Sequence, residues 1–153
     1  MFVFSYNMFM ISEKDRTNDV QGSQNGETIT TKTCKVWLGN DGIVRAVMHP
    51  GAEDNLGTAK ENIAAGIKVS GGKKRPLLLD MSRIKMIDHA ARDYYAHNER
   101  REGSEKAVAL VVKSPLSRMF GNFFLGLNKP VVPTKLFNDQ GKAVAWLKRF
   151  SDV

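Results

Sequence analysis

The chain has 153 residues, 42% hydrophobic and 25% charged, with a net charge of +7. That length is a prior for one domain with a core of its own, and the ordinary composition excludes wholesale disorder and a membrane-embedded protein. A single cysteine, Cys34, excludes an internal disulfide and an all-cysteine metal site; with no export signal, the expected compartment is the cytoplasm.

The charge is unevenly spread. Residues 1–32 hold three basic against four acidic residues, and the rest holds 20 against 12. A basic domain favours acidic partners, anionic surfaces or nucleic acid. The basic residues are scattered, however, and no basic helix interleaved with aromatics appears, which argues against specific nucleic-acid binding.

Residues 1–10 are apolar but too few to cross a bilayer, and they lack the basic start and small-residue cleavage site of a signal peptide. They read as a loose lead-in, as the product of an early start codon with Met8 or Met10 as later candidates, or as a strand for another chain. Residues 11–28 are polar around Gly22-Ser23-Gln24-Asn25-Gly26 and read as a flexible linker. The expected organisation is therefore a flexible segment, 1–27, and one folded domain, 28–153.

From Thr28 to Leu38 the residues are β-formers. Gly39-Asn40-Asp41-Gly42 makes a turn, and residues 43–49 supply a second strand, so a hairpin is expected. Thr58-Ala59-Lys60-Glu61 has the form of a capping box. The helix it opens carries Ala59, Ile63 and Ile67 on one face with Leu56 a turn earlier, and stops at Gly71-Gly72. Pro76-Leu77-Leu78-Leu79 is a continuous apolar run too brief for a helix, and reads as a strand buried on both faces. Asp80 ends it. Asp88 then caps a second helix running to about Arg101, with Ala91, Tyr94, Tyr95 and Asn98 as its mostly apolar stripe.

Residues 106–113 form the next buried strand. Ser114-Pro115 opens a third helix, with serine at N-cap and proline at N1, and Leu116, Met119, Phe120, Phe123, Phe124 and Leu127 follow an inward stripe. Residues 131–137 are an edge strand, because Pro133 cannot donate to a ladder on both sides. Asn138 or Asp139 caps the last helix, whose Ala143, Trp146, Leu147 and Phe150 face inward. The predicted order is ββαβαβαβα, an α/β fold whose mixed central sheet has helices packed on it. Strands separated by single helices run parallel, joined by right-handed crossovers.

That order, with Leu79-Asp80-Met81-Ser82-x-Ile84-x-x-Ile87-Asp88 at its middle, resembles the STAS fold of anti-sigma-factor antagonists and sulfate-transporter tails. The ending Phe137…Ala143-x-x-Trp146-Leu147 resembles bacterial single-domain STAS-like proteins, a group linked by fold to Sec14-type lipid-binding modules. The resemblance covers about residues 28–150 and implies a regulatory module that docks another protein. In phospho-switched members the helix-opening Asp is followed by Ser-Ser-Gly, whose second serine takes the phosphate. Here Asp88 is followed by His89-Ala90-Ala91, so the acceptor position is alanine and the switch does not carry over. Ser82 reads as a loop residue turning its hydroxyl to nearby backbone; phosphorylation there, with Arg83 and Lys85 pairing the charge, is the lesser reading.

His89, Asp93 and His97 share one helix face, but the two histidines lie about 12 Å apart along the axis, beyond the reach of one ion. No metal or cofactor is expected. Nor is catalysis, since neither a nucleophile elbow nor a phosphate-cradling glycine loop is present. The expected function is a non-enzymatic interaction module. Its candidate contact residues are Met81, Ser82, Arg83, Lys85, Asp88, His89, Arg92, Gly121, Asn122 and Leu125, and its partner is another protein or a second copy of the chain. The alternative is a carrier or sensor of a lipid or other apolar molecule, with Tyr94, Phe120, Phe123 and Phe124 lining a cavity.

Overall fold

The computed structural model describes residues 24–97, 105–127 and 132–152. The expected 1–27 segment falls largely outside them. The strands are β1 (Gln24–Thr30), β2 (Cys34–Gly39), β3 (Val44–Met48), β4 (Glu53–Asp54), β5 (Arg75–Asp80), β6 (Met86–Ile87), β7 (Glu105–Val111) and β8 (Thr134–Phe137). The helices are α1 (Leu56–Ser70), α2 (His89–His97), α3 (Pro115–Leu127) and α4 (Gln140–Leu147), followed by a 3-10 turn, Lys148–Phe150.

Six strands form one sheet in the order β1-β2-β3-β5-β7-β8, antiparallel through β1, β2 and β3 and parallel from β3 to β8. The helices α1, α2 and α3 make the crossovers between successive parallel strands and lie on one face, over Val36, Val44, Val108 and Leu110, with Phe120 of α3 in the same core. The opposite face of β5, β7 and β8 is covered by α4, through Leu78, Ala109, Val111, Ala143 and Leu147. The expected α/β class, the parallel members and the β8 edge are thus present.

Three local expectations are corrected. The run from Thr28 to Leu38 is two strands. Thr31 Oγ1 accepts from Cys34 N at 3.0 Å, and the chain reverses at Thr31-Lys32-Thr33 before β2 begins. This turn is made by a side chain rather than by glycine. The cap of α1 is Asn55, three residues before the expected Thr58. Asn55 Oδ1 accepts from Thr58 N at 3.0 Å while Thr58 Oγ1 accepts from Asn55 N at 2.9 Å, so Thr58 is the reciprocal member of the box. Its buried residues are Thr58, Ala59, Ala65 and Ser70, whereas Leu56 and Ile67 are 39% and 38% exposed. The helix ends as expected at Gly71, with φ of 65°.

The third correction concerns α3. Ser117 and Phe120 are 0% and 2% exposed, and Gly121 is buried, whereas Leu116 and Met119 are 37% and 55% exposed. The inward face runs Ser117–Phe120–Gly121 because α3 comes down close on the sheet. A Cβ at Gly121 would sit 2.7 Å from Leu136 Cδ2 and 3.1 Å from Val112 Cγ1.

At the β2–β3 turn the Arg45 guanidinium, 3% exposed, is forked onto Asp41: Nη1 to Oδ1 at 2.8 Å and Nη2 to Oδ2 at 2.7 Å. It lies where a side chain at Gly39 would be, so glycine is required there. Burial alone would raise the Asp41 carboxyl, but the Arg45 hydrogen bonds and charge hold it below its ordinary 3.8. A depressed carboxylate stabilises the fold above its unfolded value, and that contribution is lost as pH falls through the folded value. Asp41→Asn is expected to cost about 1–2 kcal/mol at neutral pH, since Asp41 is partly exposed while Arg45 is not. The deficit shrinks as pH falls below the ordinary 3.8 and through the lower folded value, where the wild type loses the ion pair as well. Urea unfolding of both proteins across this range measures it; a deficit that does not change with pH would contradict the assignment.

Candidate interaction surface

The parallel strands deliver their C-terminal ends to one edge of the sheet, and the loops after them carry the sequence's candidate residues. The 81–88 loop leaves β5 through Asp80, which is 7% exposed. Asp80 Oδ1 accepts from Ser82 N at 2.9 Å, and its other oxygen accepts from Gln140 Nε2 on α4. Met81 N donates to Val111 O at 3.1 Å, tying the loop to the end of β7. Met81, Ile84 and Ile87 turn inward at 1%, 4% and 3% exposure. Lys85 N and Met86 N both donate to Ala52 O, and Glu53 and Asp54 pair with Met86 and Ile87 as a two-stranded parallel ribbon. The loop is held at both ends and in the middle.

Its outward side presents Arg83, Lys85 and Met86, the last 48% exposed. Lys85 Nζ meets Glu53 Oε1 at 3.1 Å, an exposed pair of small energetic weight. Asp88 caps α2 as expected, accepting from Ala91 N at 2.8 Å. His89 Nδ1 lies 3.2 Å from Asp93 Oδ2 on the exposed face, while the His97 side chain lies outside the described residues. Among the described residues no group of three His, Cys, Asp or Glu side chains is placed to hold a metal. Arg92 donates from Nη1 to Ile87 O at 3.3 Å and holds its guanidinium 5.9 Å from the Phe120 ring centre, joining α2 to α3.

The same edge continues onto α3. Ser117 Oγ accepts from Lys113 N at 3.1 Å and Ser114 N at 3.0 Å, and Ser114 Oγ accepts from Ser117 N at 3.0 Å. This reciprocal box fixes the β7–α3 turn and sets Lys113 beside the first turns of the helix. An open groove of about 620 Å³ is lined there by Lys113, Pro115, Arg118, Met119 and Asn122.

The candidate residues therefore divide. Arg83, Lys85, His89 and Asn122 are exposed, Ser82 and Arg92 are half-buried, and Asp88 is exposed with one carboxylate oxygen used in capping. Met81 and Gly121 are buried beneath the surface, so they shape it without being offered on it. The side chains of Leu125, Phe123 and Phe124 lie outside the described residues, as does Asn98. Of the alternative cavity's lining, Phe120 is packed into the core and Tyr94 is half-buried, with Lys60 Nζ 5.9 Å from its ring centre. The sequence reading missed Lys113, Leu116, Arg118 and Met119, because the helical stripe assigned Leu116 and Met119 to the interior. The small residues Ser117 and Gly121, one turn apart, were the available signal of the other face.

Behind this edge lies a polar cluster that the sequence reading did not find. Asp54 is 2% exposed, and no ion pair to it exists among the described residues. Thr33 Oγ1 and Thr58 Oγ1 each donate to its Oδ1 at 2.7 Å, and Tyr95 OH donates to Oδ2 at 2.5 Å. Asn62 Nδ2 approaches the two oxygens at 3.3 and 3.5 Å and is anchored on its other side by Thr31 Oγ1, 2.5 Å from Oδ1. Burial first, and the Asp54 charge second, raise the Tyr95 hydroxyl's pKa and push the Cys34 thiol up to about 12. Both are thus fixed in their protonated forms, Tyr95 as a donor and Cys34 as an inert thiol.

The model of a domain family of unknown function, DUF7793, matches residues 36–151. No curated protein matches the sequence. Among solved structures, the chain is similar to an uncharacterised protein of the DUF3478 family with a SpoIIAA-like fold from Shewanella loihica PV-4. The TM-score is 0.54 at 16% identity, covering 82% of this chain and 99% of that one. A protein of unknown function from Arthrobacter sp. FB24 matches at 29% identity over 73% of this chain and 96% of its own, with a TM-score of 0.29. The first of these bears out the expected STAS-like fold. No helix among the described residues is long and apolar enough to cross a membrane.

Asp54→Ala is expected to destabilise by about 2–4 kcal/mol, because four donors lose a buried acceptor, and Tyr95→Phe by about 1–2 kcal/mol. Urea unfolding of the two variants and their double mutant checks both; additive losses would show that the two groups do not interact. Cys34 is expected to resist iodoacetamide in the native state and to react once the chain is unfolded, which mass spectrometry of the alkylated protein reads directly.

Proposed function

The chain belongs to the DUF7793 family, and we propose that it works as a non-enzymatic interaction module whose docking surface is the edge formed by the C-terminal ends of its parallel strands. One observation carries this reading. Large apolar side chains exposed among the described residues are Leu56, Ile67, Met86, Leu116 and Met119. All but Ile67 stand at the N-terminal turns of helices, or in the loop, on that one edge. Apolar side chains gathered in one region of an otherwise charged surface are characteristic of a contact site, and methionine adapts to irregular partners.

The topology supports docking over small-molecule chemistry. Successive parallel strands are added in one direction, and their crossover helices share one face. The loops at that edge therefore lie side by side, without the reversal of strand order that opens a ligand crevice in open α/β sheets. Phosphorylation does not govern this edge through the helix-opening serine, since Ala90 occupies that position. The partner is another protein, and the compartment is the cytoplasm.

A photo-reactive residue placed at Met86 or Met119, and at Ile67 as a control, tests the reading in the native cell. Discrete protein adducts from the first two positions and not from the third are expected. Adducts formed equally from all three, or from none, would overturn it.

A further inference from the structure

We infer that the groove between Lys113 and α3 takes an acidic peptide segment that carries an apolar anchor. This rests on the docking edge proposed above and names the chemistry of its partner. Residues 106–138, which supply most of β7 and all of α3 and β8, contain five basic residues and no Asp or Glu; Glu105, the first residue of β7, precedes them. Two of them, Lys113 and Arg118, line the groove, and both are exposed. Neither makes an ion pair with any acid among the described residues. Their charges stand open together on one small area.

The other walls are apolar. Pro115 is locked at the first helical position, and Met119 is the most exposed large apolar side chain among the described residues. Asn122 adds an amide able to donate and to accept at the far end. An occupant complementary to this set needs carboxylates, one within reach of the Arg118 fork, and an apolar side chain to lie against Pro115 and Met119. A polynucleotide would meet the positive charge but find no aromatic platform for its bases in the groove's lining.

The full-length chain, immobilised, is offered a random-peptide display library. Recovered peptides are expected to combine Asp or Glu with Leu, Met or Phe. A synthetic copy should bind the wild type with an affinity that falls with added salt. It should fall about tenfold or more for K113E/R118E, fall for M119E, and stay unchanged for I67E. Where thermal unfolding shows K113E/R118E to be misfolded, K113Q/R118Q takes its place. The inference is overturned if no peptide is recovered, if the recovered peptides lack acids, or if they bind the charge variant as well as the wild type. It is also overturned if phosphatidylglycerol vesicles or single-stranded oligothymidylate bind through Lys113 and Arg118 while acidic peptides do not. Photo-adducts from Met86 and Met119 that persist in K113E/R118E would leave the docking edge standing while removing the acidic occupant; loss of all adducts in the wild type removes the edge itself.

Discussion

A carboxylate buried with no cation paired to it among the described residues is the constraint on which the rest of this structure depends. Removing an ion from water costs several kcal/mol, and only hydrogen-bond donors arranged around it recover that cost. Asp54 obtains its donors from separate pieces of the chain: Thr33 from the β1–β2 turn, Thr58 and Asn62 from α1, and Tyr95 from α2. Each donor removed leaves a buried carboxylate oxygen short of a hydrogen bond, which costs about 1–3 kcal/mol. The antiparallel hairpin, the first crossover helix and the second are thereby fixed relative to one residue.

That residue is also half of the small ribbon that supports the proposed surface. Asp54 pairs with Ile87 through its backbone while its side chain gathers the donors, and Asp88 N donates to Asp54 O at 3.0 Å. The end of the 81–88 loop is thus tied to the same point as α1 and α2, and its beginning is tied through Asp80 and Met81 to α4 and β7. A loop held in this way loses little conformational entropy when a partner settles on it, which favours affinity without adding contacts. The function proposed for the edge and the buried chemistry behind it are consequences of the same arrangement.

What the sequence made legible follows from how local each signal is. The β5 strand, the Asp88 cap, the Ser114-Pro115 start and the Gly71 stop are each set by neighbours within a few residues, and each appears where expected. The β1–β2 reversal was hidden because Thr31, a good β-former, makes the turn with its hydroxyl instead of with a glycine or asparagine. The α1 cap was misplaced because two overlapping patterns compete, and the pairing of Asn55 with Thr58 wins over that of Thr58 with Glu61. The Asp54 cluster spans residues 31 to 95, and no spacing rule joins threonines, an asparagine and a tyrosine over such separations.

The misread face of α3 shows why a periodic stripe is an incomplete guide to burial. Leu116, Met119 and Phe120 fit one helical face by hydrophobicity, yet the sheet accepts Phe120 and excludes the other two. Close approach decides between the two faces. Gly121 leaves room for Leu136 and Val112 only when the helix is rotated to bring Ser117 and Gly121 inward. Small residues let the backbone descend, and the close packing at Ser117, Phe120 and Gly121 takes the place of burying two longer side chains. The rotation costs apolar burial, and that cost falls at Leu116 and Met119, beside Lys113 and Arg118. The packing that seats α3 on the sheet is therefore also what puts Met119 at the groove and leaves Leu116 exposed, so the proposed contact surface arises from the same choice that closes the core.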